Sequence, residues 1–97
     1  MNFEVWRNWI DDIEAMPLAT LLDKTSPEVR AALKKSLARE ELTPEEGHTV
    51  FTAKGDDLRA IVKCADLARA EDVGNEVTYV VNRNINFTNI CFVGCQF

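Results

Sequence analysis

Residues 77–97 read VTYVVNRNINFTNICFVGCQF, and the fold turns on how that run is understood. Its first five residues are β-branched or aromatic and follow the turn-forming pair Gly74-Asn75, which predicts a strand over 77–81. No other stretch of the chain reads as a strand. A near-continuous apolar run of this kind suits a strand covered on both faces in a parallel sheet, and a lone buried strand leaves its N–H and C=O groups unpaired. Its partners are therefore expected elsewhere. Either these residues are the front part of a larger α/β protein, which is the favoured expectation, or two copies pair through 77–81.

The sequence before this run predicts helices. Val5, Trp6, Trp9, Ile10, Ile13 and Met16 recur at three- and four-residue spacing, with Asn2 as a cap and Pro17 as a stop. Trp6 and Trp9 could form a ligand platform, but aromatic residues at helical spacing more often pack a core. Residues 18–25 suit a short helix or turn. Ser26-Pro27-Glu28 is a start signal: a hydroxyl to cap, a proline at the first helical position, and an acid near the positive helix end. That helix is expected to reach about Arg39, with Val29, Leu33 and Leu37 facing inward and a solvated basic face. Thr43 and Glu46 form a capping box for the next helix, in which Val50 and Phe51 are expected to face inward and Gly55 to end the helix. Asp56 or Asp57 caps a further helix carrying Leu58, Ile61, Val62, Ala65 and Ala68 on one side. The expected fold is mainly α, with about four short helices plus one β-strand. A helical region over 1–75 precedes a strand and loop over 76–97.

Composition narrows the functional classes. The 97 residues carry 11 basic and 16 acidic side chains, a net charge of −5. That balance argues against nucleic acid or an anionic membrane as the main partner. The first sixteen residues lack the basic and apolar blocks of a secretory signal, and no run approaches the ~20 apolar residues of a membrane span, so a cytoplasmic location is expected. In that setting three cysteines point to metal or redox chemistry rather than a disulfide scaffold.

Cys91 and Cys95 are the candidate ligands. Thiolates suit zinc, copper(I) or iron–sulfur clusters. A four-ligand zinc site would need Cys64 and His48 as well, an improbable geometry, and a two-cysteine redox switch usually has two residues between its thiols rather than three. The pair thus reads as part of a metal site. Cys64 lies near the apolar side of its helix and reads as a small buried residue; His48 has no nearby Cys, Asp or Ser constellation and reads as structural or exposed. Residues 82–90 are rich in asparagine and would form the loop at the C-terminal edge of a first barrel strand, where parallel barrels build their sites. Arg83 and Asn84 lie near that edge.

The run VTYVVNRNINFTNICFVGCQF resembles the entrance to a radical S-adenosylmethionine (SAM) enzyme, whose signature is C-x-x-x-C-x-aromatic-C. Cys91 and Cys95 match its first two cysteines and Phe97 its aromatic position. With LTPEEGHTVF and DLRAIVKCADLAR before it, the chain most resembles the tyrosine-using component of FO synthase, loosely before Leu42 and closely from Val77 on. The resemblance implies the front end of an α/β TIM-type barrel, with a third cysteine directly after Phe97. It implies a 4Fe-4S cluster held by three thiolates, one iron being left for SAM, with Phe97 against the SAM adenine. Reductive cleavage of SAM would yield methionine and a 5′-deoxyadenosyl radical that activates L-tyrosine. The 4-hydroxybenzyl portion would then be joined to 5-amino-6-(D-ribitylamino)uracil, in concert with a fused or separate second FO synthase component. No catalytic residue is assigned by motif. These residues alone are expected to be inactive, since two thiolates cannot supply three ligands. The alternatives are a futalosine-pathway radical SAM enzyme and a non-enzymatic helical interaction module.

Overall fold

Helix-start chemistry sets most of the architecture. In the computed structural model, which describes residues 2–94, five helices follow one another: α1 (Phe3–Ala15), α2 (Leu18–Asp23), α3 (Pro27–Leu37), α4 (Pro44–Phe51) and α5 (Asp56–Val73). Asn2 caps α1, its side-chain oxygen accepting from the Glu4 amide. Thr43 and Glu46 form both bonds of the capping box on α4. The box is extended by Lys35 of α3, whose Nζ lies 2.8 Å from Glu46 Oε2. This Lys35 hydrogen bond, with that from the Thr43 amide, holds the Glu46 carboxyl below its usual pKa.

The longest helix, α5, is the element against which α1, α2 and α3 pack, while α4 packs on α3. The core comprises Ile13, Leu21, Val29, Leu33, Ala60 and Cys64, flanked by Trp9, Met16, Leu18, Leu22, Ala53, Ile61 and Val62. Leu21 is fully buried, and removing such a side chain from water contributes about 2–3 kcal/mol. On α5 the inner stripe runs through the small residues Ala60 and Cys64, which lets neighbouring helices approach closely.

Helix ends are closed largely by side chains from neighbouring elements. Asp57 of α5 reaches the start of α3, accepting from the Ser26 amide at 2.7 Å and the Ser26 hydroxyl at 3.0 Å. Arg30 of α3 donates to the carbonyls of Leu22, Asp23 and Thr25 at the end of α2. Lys63 of α5 donates to the Glu14 carbonyl at the end of α1. At the end of α3, Arg39 adopts φ 62, a left-handed conformation usually taken by glycine, and its guanidinium pairs with Glu71 and Asp72 at the end of α5. The last turn of α5 carries no basic residue, so Arg39 supplies the cation its dipole favours. Hydrogen bonds to Asp72 and then Glu71 raise the Arg39 pKa.

Several expectations are corrected. Among the described residues there is no β-strand, and residues 77–81 are irregular. Val77, Tyr79, Val80 and Val81 are all at least 80% exposed. The physical reason is the absence of a pairing neighbour: β-propensity is expressed through cross-strand contacts, and without them the backbone stays bonded to water. The described fold is thus all helix plus an irregular segment, rather than the front of an α/β barrel. Phe51 is 88% exposed instead of inward-facing, and Thr52, not Gly55, ends α4. Gly55, at φ 60, is the N-cap of α5. Ser26 does not cap α3 through its own hydroxyl, since Asp57 engages it.

Candidate functional site

The candidate site lies beyond α5. Gly74 ends that helix at φ 63, a turn that side chains resist, and the Arg69 guanidinium bonds the Gly74 carbonyl and the Asn75 side-chain oxygen. These contacts fix the direction in which the chain leaves the helices. Residues 75–94 then run without helix or strand, which accords with a radius of gyration of 18.2 Å where a compact chain of this length would have about 12.5 Å. Local bonds shape the far end: the Ile90 amide donates to the Thr88 hydroxyl at 3.1 Å, and the Gly94 amide to the Cys91 carbonyl at 3.4 Å. Cys91 therefore opens a turn through Phe92 and Val93, closed by Gly94 at φ 77.

The sequence-designated residues fall into distinct environments. Cys91 is exposed on this turn. Cys95 and Phe97, the other designated ligand and the designated cofactor contact, lie outside the described residues. Arg83 and Asn84 are exposed in the irregular segment. Cys64 is only 4% exposed and belongs to the helical core, where burial pushes its thiol pKa up. Burial of this kind disfavours the thiolate that coordination requires. His48 lies exposed in α4, apart from the core.

Trp6 and Trp9 form an edge-to-face pair with ring centroids 6.1 Å apart. Trp9 packs against the core, but Trp6 is 56% exposed, so the expectation that both rings pack inward holds for Trp9 alone. The tertiary caps Asp57, Arg30 and Lys63 were not legible. Asp57 and Ser26 are 31 positions apart, a spacing with no local sequence signal.

A three-thiolate cluster site is not formed by the described residues. No group of at least three His, Cys, Asp or Glu side chains that could hold a metal ion occurs among them. Cys91 lies exposed on its turn, and Cys64 is committed to packing. Nor, among the described residues, is any helix long and apolar enough to cross a membrane.

Comparison with known proteins supplies what this local geometry does not. No family model matches the chain, and no solved structure matches it. Curated relatives do. The chain is 39% identical over 95 residues to an FO synthase of Streptomyces coelicolor, a match covering 97% of this chain and 11% of that protein. It is 46% identical over 76 residues to an FO synthase of Mycobacterium tuberculosis, covering 77% of this chain and 9% of the relative. A 5-amino-6-(D-ribitylamino)uracil--L-tyrosine 4-hydroxyphenyl transferase of Cyanothece sp. is 52% identical over 68 residues, covering 67% of this chain and 17% of the transferase. The chain thus spans about a tenth of the FO synthases it matches. By sequence it is a homologue of part of FO synthase.

Proposed function

We propose that this chain serves in FO biosynthesis, as a helical segment of an enzyme that joins the 4-hydroxybenzyl portion of L-tyrosine to 5-amino-6-(D-ribitylamino)uracil. The observation that carries the reading is the match to FO synthase across 97% of the chain. Similarity to the tyrosine 4-hydroxyphenyl transferase favours the tyrosine-using reaction over futalosine-pathway chemistry.

Within that enzyme the segment's own residues divide the work. The helices around α5 form a support whose end is set by Gly74, Arg69 and the Arg39–Asp72 pair. From that end the chain extends to Cys91 and Cys95, the two thiols that match a C-x-x-x-C cluster motif, with Phe97 at its aromatic position. A 4Fe-4S cluster with SAM would supply the radical chemistry. The described residues do not by themselves form a site for it, so the remaining ligand must come from outside them, and Cys64 is not that ligand. For the isolated 97 residues, cytoplasmic and free of nucleic acid in this reading, no catalysis is expected.

A segment exchange tests the proposal. The matched segment of the S. coelicolor FO synthase is replaced by these residues, and the product formed from L-tyrosine and the aminouracil is identified by mass spectrometry. The tyrosine-derived adduct is expected, with loss on Cys91→Ser or Cys95→Ser and retention on Cys64→Ala. A folded, cluster-loaded exchange protein that makes no such adduct refutes the assignment.

A further inference from the structure

The joint between α5 and the segment that carries Cys91 combines a pivot with a fastener. Gly74, at φ 63 and ψ −150, occupies a region that residues with a side chain rarely adopt, while its amide still bonds the Ala70 carbonyl. Helical bonding therefore reaches Gly74, and the next backbone rotations decide where the chain goes. Glycine by itself leaves those rotations open, since it lacks the Cβ that restricts φ and ψ. A Cβ added at Gly74 would meet nothing within 4 Å, so close packing does not restrain the joint either.

Arg69 spans the joint. Its Nε donates to Asp66 Oδ1 at 2.9 Å, three residues earlier on α5, while Nη1 donates to the Gly74 carbonyl and, at 3.3 Å, to Asn75 Oδ1. One planar guanidinium thus ties the helix body to the two residues of the joint. The stem is ordered as well: Arg69 forms part of the wall of a cleft between α1 and α5, with Ile10, Ile13 and Val62, and its side chain is 45% exposed. The last turn of α5 carries no basic residue, so this guanidinium also meets the negative end of the helix dipole. An exposed ion pair alone usually contributes little to global stability. Here the effect is local, because two of the three acceptors belong to the joint itself.

We propose that Arg69 is a latch over a Gly74 hinge. Closed, it holds Asn75 and Glu76 in one direction relative to α5; released, it lets the segment bearing Cys91 turn about Gly74 while the helices stay as they are. The latch does not depend on which reaction the longer protein performs. Backbone nitrogen-15 relaxation of the 97-residue chain tests it. In the wild type, Asn75 and Glu76 are expected to keep order parameters near those of a rigid helix backbone, about 0.8. Arg69→Met preserves the stem and removes every donor, and should lower both residues below about 0.6 while Leu58 to Ala70 keep their wild-type values. The thermal midpoint should move by less than about 3 °C, since the position is at the surface. Asn75→Ala should cause part of the loss at Glu76 alone and none in the Arg69→Met background, as one shared interaction requires. Wild-type values already below about 0.6 at Asn75 and Glu76 would overturn the proposal, as would values that Arg69→Met leaves unchanged or losses that simply add in the double variant. A larger fall in the midpoint, or loss of order reaching back through Ala70, also overturns it, since Arg69 would then hold the helix rather than the joint.

Discussion

Replacing Cys64 by serine separates a core thiol from a metal ligand. The side chain is 4% exposed at the packing of α5 against its neighbours, among Leu33, Ala60 and Ile61. Serine nearly preserves the volume but puts a hydroxyl where the thiol met apolar groups. Leaving such a group without a partner costs about 1–3 kcal/mol. Bonding back to the carbonyl one turn earlier recovers part of this, so a loss of about 1–2 kcal/mol is expected. For about 75 helical and connecting residues the total stability is of the order of 4–11 kcal/mol, which makes the loss a sizeable fraction. At about 4–8 °C per kcal/mol, the midpoint of thermal unfolding followed by far-ultraviolet circular dichroism should fall by about 5–15 °C. Cys91→Ser, at an exposed position, should shift stability by less than about 0.5 kcal/mol. Equal stability of Cys64→Ser and wild type would refute the core assignment. So would lower iron content in a segment-exchanged protein carrying Cys64→Ala that remains folded.

Further outcomes follow from the same contacts. Leu21→Ala removes the largest fully buried side chain among the described residues and should cost about 3–5 kcal/mol in urea unfolding, a large share of the total stability. Asp57→Ala takes both acceptors from Ser26 and should cost about 1.5–3 kcal/mol by the same assay. Because Glu46 has a lowered pKa in the folded chain, its contribution is present above the usual glutamate pKa and is lost as pH falls through the folded value. Lys35→Ala removes the largest cause of that shift, so Glu46, followed by NMR titration, should titrate at a higher pH. An unchanged titration would refute the Lys35–Glu46 link.

Local chemistry made the helices legible. Asn2, Pro27 and the Thr43–Glu46 box act within a few residues of the helix starts they mark, and they do so in the structure. What failed was non-local. Asp57 reads as a cap for its own helix but serves α3, and Gly55 reads as a helix end but begins α5. Phe51 reads as core because apolar residues usually bury, yet α4 contacts the rest mainly through α3 and leaves that ring in water. The strand over 77–81 failed for a related reason, since the propensity of Val, Thr and Tyr needs a paired neighbour to act on. At the candidate site, the spacing of Cys91 and Cys95 was legible as a motif, and so was the burial of Cys64, expected from its place near the apolar side of its helix and found in the core.

The account's central claim is that these residues contribute part of a cluster site and cannot complete it alone. Iron and sulfide per polypeptide after anaerobic reconstitution test this directly, with the 97-residue chain compared against the FO synthase into which it has been exchanged. The short chain is expected to hold no stable cluster, and the exchange protein to gain about four irons that Cys91→Ser or Cys95→Ser removes. About four irons held stably by the short chain alone, or an exchange protein whose iron content ignores both substitutions, would contradict it.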